Sequence, residues 1–198
     1  MLTRSGSWHP DRMRPEPGQV LHFSEDPGIT RFHPHVAATA QQPEAYVWAV
    51  DAVQAPAYWF PRDCPRAMAW ARPASLAEDR ALIFGPGGGE RVHAVEYGWL
   101  EAIRTVELYA YRFSAADFRP FDDSDEPHAH VSEQPVRPLG PAERVGDLLA
   151  LHEDAGIQLR VLPNLWEFWD AVVAGSLGFS GIRLRNASAR PGVARAGA

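Results

Sequence analysis

Residues 106–113 read VELYAYRF, and this stretch decides the fold class. Side chains alternate along an extended chain. Val106, Leu108, Ala110 and Arg112 therefore face one way, and Glu107, Tyr109, Tyr111 and Phe113 the other. One face is aliphatic and the other largely aromatic, so the strand needs cover on both sides.

Working outward, short apolar runs bounded by turn residues mark further strands at 19–24, 46–51 (YVWAVD), 66–71 (RAMAWA), 91–97 (RVHAVEY), 128–132 (HAHVS), 157–162 (IQLRVL) and 181–185 (GIRLR). Helical periodicity appears toward the C-terminus. In 142–155, Val145, Leu148, Leu149 and His152 form one stripe that stops at Gly156. In 165–174, Leu165, Phe168, Trp169 and Val172 line one face, with Asn164 as the N-cap and Glu167 three residues on. A short helix is expected over 98–104 and a capped turn over 114–118, while 72–90, with its GPGGGE tip, reads as a long loop. GPGGG lacks the spacing of a dinucleotide fingerprint. The pattern predicts an α+β single domain over 19–186, with a twisted mixed or antiparallel sheet and helices mainly toward the C-terminus. Residues 1–18 and 187–198, polar and without periodicity, are expected to be disordered tails.

Composition narrows the chemistry. All 19 basic residues of this 198-residue chain are arginine, which excludes a Schiff-base or P-loop lysine. The single cysteine, Cys64, excludes an internal disulfide and any multi-cysteine metal site. A net charge of -6 argues against coating nucleic acid or an anionic membrane surface. The sequence shows neither a signal-peptide h-region nor a membrane-length apolar run, and a cytoplasmic location is expected.

Three stretches carry candidate chemistry. In VLHFSEDP (20–27), His22 shares a strand face with Val20 and Ser24; the imidazole can hold a ligand hydroxyl or bond a backbone carbonyl, and Ser24 or Asp26 can cap the turn at Pro27. In FPRDCPR (60–66), two prolines stiffen a loop bearing Arg62, Asp63, Cys64 and Arg66, a fork suited to phosphate or carboxylate unless Asp63 pairs internally. Neighbouring Tyr58 and Trp59 offer a stacking surface. In VSEQP (131–135), Ser132 and Glu133 end a strand, where a carboxylate can project into a cleft or stand exposed at an edge. His33 and His35, and His128 and His130, form two His-x-His pairs; solvent-facing histidines are the default, and no metal is assigned to them.

The stretches LHFSEDPGI, VWAVD, FPRDCPR, LYAYRF and GIRLRNA resemble an uncharacterised bacterial family of unknown function, from residue 20 to 187. More distantly, the order of elements, a first strand ending in His, a strand leading to APAYWF, the LYAYRF strand and a late Glu strand, is similar to ADP-ribosyltransferase-like folds. That likeness implies an NAD-cleaving transferase in which His22 anchors a ribose hydroxyl, Tyr58 stacks on nicotinamide and Glu133 is the catalytic carboxylate. Charge alone adds Arg62 and Arg66 as pyrophosphate partners, and NAD is then the substrate. The alternative is a noncatalytic module in which the Arg62/Arg66 loop grips an anionic ligand or partner.

Overall fold

A computed structural model describes residues 13–36, 43–122 and 128–192. In chain order the strands are β1 (Gln19–Ser24), β2 (Val47–Ala49), β3 (Arg66–Trp70), β4 (Arg91–Glu96), β5 (Tyr109–Ser114), β6 (Arg119–Pro120), β7 (His130–Ser132), β8 (Glu143–Arg144), β9 (Gln158–Leu162) and β10 (Gly178–Ile182). The helices are α1 (Ala77–Phe84), α2 (Leu100–Thr105), α3 (Leu148–Asp154) and α4 (Trp166–Ala174). The structure is α+β, and its residues gather into two compact units: Met1–Trp59 with Glu107–Gly146, and Phe60–Val106 with Asp147–Ala198. Among the described residues no helix is long and apolar enough to cross a membrane.

The first unit is built from β-strands. β1, β5 and β8 form one antiparallel sheet and β2, β7 and β6 another, and the Leu21–Val50 bridge joins β1 to the end of β2. β5 starts three residues later than VELYAYRF suggests, but Leu108 and Ala110 on one face and Tyr111 and Phe113 on the other are buried, as a doubly covered strand requires. Phe32 sets its ring edge against Tyr111 and Phe113 and pairs its backbone with Val136, closing one of the two faces. At residue 112 the polar exception is resolved locally, because Arg112 Nε donates to Glu143 Oε1 at 2.8 Å on the neighbouring strand and Nη1 to Arg14 O at 3.1 Å.

In the second unit one four-stranded sheet runs β10-β3-β4-β9, antiparallel except for the β4–β9 pair. One face is small and apolar: Ala67, Ala69, Val92 and Ala94 pack against Phe168 and Val172 of α4 and Ile83 and Phe84 of α1. Such small residues let the helices approach the sheet closely. The other face carries Arg66, Met68 and Trp70 of β3 opposite Val95, His93 and Arg91 of β4, a polar strip inside the protein.

Several boundaries differ from those expected. The helix expected over 142–155 begins only at Leu148, because Gly146 takes a left-handed φ of 89° and Asp147 caps α3 by accepting from Leu149 N and Ala150 N. The preceding residues pair as β8 instead. The strand expected at 181–185 lies at 178–182 and includes two glycines. A Cβ on Gly178 would sit 2.3 Å from Trp70 Nε1, and one on Gly181 2.6 Å from Leu184 Cδ1, so packing selects glycine where β-propensity disfavours it. The region read as a loop over 72–90 contains α1, whose buried residues, Ile83 and Phe84, come only at its last turn, too few to signal periodicity. Two of the four helices thus lie before residue 106.

Of the expected tails, residues 1–12 and 193–198 lie outside the described residues. Met13 is buried, while Trp166 Nε1 donates to Ser188 O at 2.7 Å and Asn164 Nδ2 to Ala189 O at 3.1 Å.

Candidate functional site

The residues singled out in the sequence divide between the units: His22, Ser24, Tyr58 and Glu133 belong to the first, and Arg62, Asp63 and Arg66 to the second.

In the first unit, the Leu21–Val50 rung would be followed in a regular antiparallel ladder by Phe23 opposite Trp48. His22 interrupts it: its Nδ1 lies 2.8 Å from Trp48 O and donates to that carbonyl. A ring nitrogen facing a carbonyl must carry the proton, so the neutral ring presents Nε2 as an acceptor. Register fixes the side. His22 shares a face with Ala49 and hence with His130 across β7, and its ring packs 4.9 Å from Phe32. Glu133, just past β7, bonds Arg119 Nη2 at 2.9 Å; Arg119 pairs with Val131, whose side chain lies on the opposite face from His130. His22 and Glu133 therefore occupy opposite faces of the β2–β7 sheet. Tyr58 packs with Leu21, Phe23, Val50 and Ala55, on the face of β1 away from His22. Ser24 Oγ accepts from Asp26 N at 3.1 Å, and Asp26 Oδ1 from Gly28 N at 2.8 Å, the turn-capping roles open to them in the sequence.

The histidine pairs are held separately. His128 Nδ1 is 3.0 Å from Asp122 Oδ2, His130 Nε2 is 3.5 Å from Asp51 Oδ2, and His35 Nδ1 is 3.4 Å from His33 O. Among the described residues no three or more His, Cys, Asp or Glu side chains are grouped to hold a metal ion.

In the second unit the FPRDCPR loop turns at Pro61–Cys64, with Cys64 N donating to Pro61 O at 3.0 Å. The segment Arg183–Asn186, more than a hundred residues away in sequence, clasps it from the side. Arg183 Nε donates to Arg62 O at 3.3 Å and lies 3.8 Å from Asp63 Oδ1, while Asn186 Nδ2 donates to Asp63 O at 2.8 Å. Arg183 is the one non-glycine residue of positive φ among those described, at 55°. That left-handed geometry costs a residue with a Cβ about 1 kcal/mol or more and persists where the surroundings demand it. The two joined segments carry Arg62, Arg183 and Arg185, of which Arg183 lies nearest the Asp63 carboxylate, at 3.8 Å, and Arg62 and Arg185 are exposed.

Arg66 takes a different position. It is only 2% exposed, donates from Nη1 to Cys64 O at 2.9 Å and stacks its guanidinium 5.2 Å from the Phe60 ring centroid. Cys64 is buried as well, and burial pushes its thiol up to about 12 despite the positive charge of Arg66, so it stays protonated and weakly nucleophilic near neutral pH.

Sequence reading missed two buried arrangements in this unit. Glu96, at the end of β4, accepts from Leu165 N, Ser188 N and Ser188 Oγ, so its carboxylate serves the start of α4 from outside the helix. His93 and His152, both essentially fully buried, face each other with Nδ1 and Nε2 3.0 Å apart. The available signal was His152 on the apolar stripe of α3 and His93 alternating with Arg91 and Val95 on a strand; only the fold brings the two together.

An α+β chain whose arginine-bearing 61–64 turn is tied through its backbone to the segment Arg183–Asn186 is the class that fold and geometry define. Within that class, the model of a family of unknown function (DUF6886) matches residues 21–187, and the chain belongs to this family. No match is found among curated proteins or among solved structures.

Proposed function

We propose that the protein is a binding module for a small phosphate-bearing ligand, a nucleotide in the first instance, held by the second unit at the clasp of Arg62, Arg183 and Arg185. The observation that supports this reading is the clasp itself: two rigid, arginine-bearing segments far apart in sequence meet through Arg183 Nε and Arg62 O at 3.3 Å, with Arg183 kept in a left-handed conformation. Arg62, Arg183 and Arg185 against the one acid Asp63 give the two joined segments a formal excess of positive charge on a chain whose net charge is -6. Guanidinium forks match phosphate oxygens bidentately, which gives direction as well as charge. Arg66, turned inward onto Phe60 and Cys64 O, supports the loop from beneath.

NAD falls within this ligand class. Cleavage of its nicotinamide bond and transfer of ADP-ribose require a carboxylate close to the oxocarbenium-like ribose; Glu133 is the residue that the transferase likeness nominates. Titration calorimetry of ADP against the wild type, Arg62→Ala, Arg185→Ala and Glu133→Ala separates the readings. Binding weakened at least tenfold by either arginine change, and unaltered by Glu133→Ala, is the expected result. Binding that survives both arginine changes would remove the clasp as the site.

A further inference from the structure

The polar face of the second unit's sheet carries a hydrogen-bond chain with a defined direction. Arg91 Nε donates to His93 Nε2 at 2.9 Å, because a guanidinium nitrogen is always a donor. His93 Nε2 is therefore unprotonated and the neutral ring holds its proton on Nδ1, which faces His152 Nε2 at 3.0 Å. His152 Nε2 accepts, and its Nδ1 donates to Leu148 O at 2.7 Å, a carbonyl that can only accept. One donor end and one acceptor end thus fix both tautomers. Each ring is neutral and the four ring nitrogens are used.

A further proton has no place in this chain. On His93 it would set an N–H against the Arg91 N–H, and on His152 an N–H against the His93 N–H. The charges that face the pair are both positive: Arg91 on β4 and Arg66 on β3. On the elements packed around it, Arg160 of β9 lies on the opposite sheet face over Phe168, and Glu96 points to that same face toward Leu165 and Ser188. Glu101 and Arg104 of α2 and Glu153 and Asp154 of α3 are exposed. Phe60 closes the pocket, its ring centroid 5.7 Å from His93 and 4.9 Å from His152.

We propose that the Arg91–His93–His152–Leu148 chain is an acid-sensitive latch that holds helix α3 on the sheet at neutral pH and releases it when protons enter the pair. Release uncovers the apolar underside of α3, Leu148 and Leu151, and lets both imidazoles reach water as cations. Burial and the two guanidiniums hold His93 well below the ordinary histidine value of 6.5 and His152 at about 4, whereas released rings return to the ordinary value. Linkage then multiplies the open population about 25-fold for each histidine between pH 7 and pH 5, and several hundredfold for the pair.

Hydrogen exchange by mass spectrometry on the full chain at pH 7 and pH 5, corrected for intrinsic rates, reads this directly. Protection of α3 should fall by more than a hundredfold relative to α4, and His152→Gln, which leaves one titrating ring, should cut the fall to about 25-fold or less. Unchanged α3 protection in the wild type, or an undiminished fall in His152→Gln, would overturn the latch. Should that variant fail to fold, ring nitrogen NMR of the wild type decides instead: two neutral Nδ1–H tautomers at pH 7 are required, and an Nε2–H or doubly protonated ring refutes the chain.

Discussion

Replacing Glu96 by Ala tests how the second unit is held together. Its carboxylate accepts from Leu165 N at 3.2 Å, Ser188 N at 2.9 Å and Ser188 Oγ at 3.0 Å. The donors differ in what happens when the acceptor is lost. Leu165 is fully buried, so its amide, which precedes the first turn of α4, would stay unpaired away from water, at a cost of about 1–3 kcal/mol. Ser188 is exposed, so water takes over its two bonds and the loss there is about 1 kcal/mol or less. A negative group at the start of a helix adds about 0.3–1 kcal/mol that is also lost. The sum is about 1–5 kcal/mol for Glu96→Ala, centred near about 3 kcal/mol, or a midpoint lowered by about 3–20 °C in a chain of this size. Ser188→Ala should cost about 1 kcal/mol or less, and Glu96→Gln, which keeps one acceptor for Leu165, should fall between. Urea unfolding followed by circular dichroism measures all three. Glu96→Ala within about 0.5 kcal/mol of wild type, or Ser188→Ala as costly as Glu96→Ala, would contradict this assignment, since water reaches the Ser188 donors but not the Leu165 amide.

Three further outcomes are expected. Gly178→Ala drives a Cβ to 2.3 Å from Trp70 Nε1 and 2.7 Å from Arg72 Nε, so it should destabilise by about 1–3 kcal/mol, whereas Gly98→Ala, with nothing within 4 Å, should not; thermal midpoints compare them. Arg183→Gly and Arg183→Ala both remove the guanidinium, but only Gly relieves the φ of 55°, so the Gly protein should be more stable by about 1 kcal/mol in urea. Acid should destabilise the fold before its carboxylates titrate. His152 is neutral when folded, with a value of about 4 against 6.5 unfolded, so stability is full above pH 6.5 and falls toward pH 4 as the unfolded chain takes the proton. The loss is about 2.5 × 1.36, or about 3 kcal/mol, from this ring alone, read as a urea midpoint that falls with pH.

The sequence made the strands of the core legible where apolar alternation was strong, as around Tyr111 and Phe113, and made α4 legible through its stripe and Asn164, whose Oδ1 accepts from Trp166 N at 3.0 Å. It could not mark α1, which buries residues only at its end, or place the start of β10, where Gly178 and Gly181 answer to Trp70 and Trp169 rather than to strand propensity. The arginine loop was visible as composition, but its clasp by Arg183 and Asn186 depends on a contact over more than a hundred residues. The two outward meanings of a strand-end polar residue could not be separated either. For His22 the answer lay in a carbonyl on another strand, and for Glu133 in an arginine fourteen residues earlier. The partner of His93 was equally invisible, because alternation places a side chain on a face without saying which helix will cover it.

Nucleotide binding at the arginine clasp is tested most simply by a proton NMR titration of NAD and ADP with the purified protein, with adenosine as the phosphate-free control. The clasp predicts broadened NAD and ADP signals, sharp adenosine signals, and loss of the broadening in both Arg62→Ala and Arg185→Ala. Sharp, unshifted nucleotide signals with the wild type, or broadening that is equal for adenosine and untouched by the arginine changes, would contradict it.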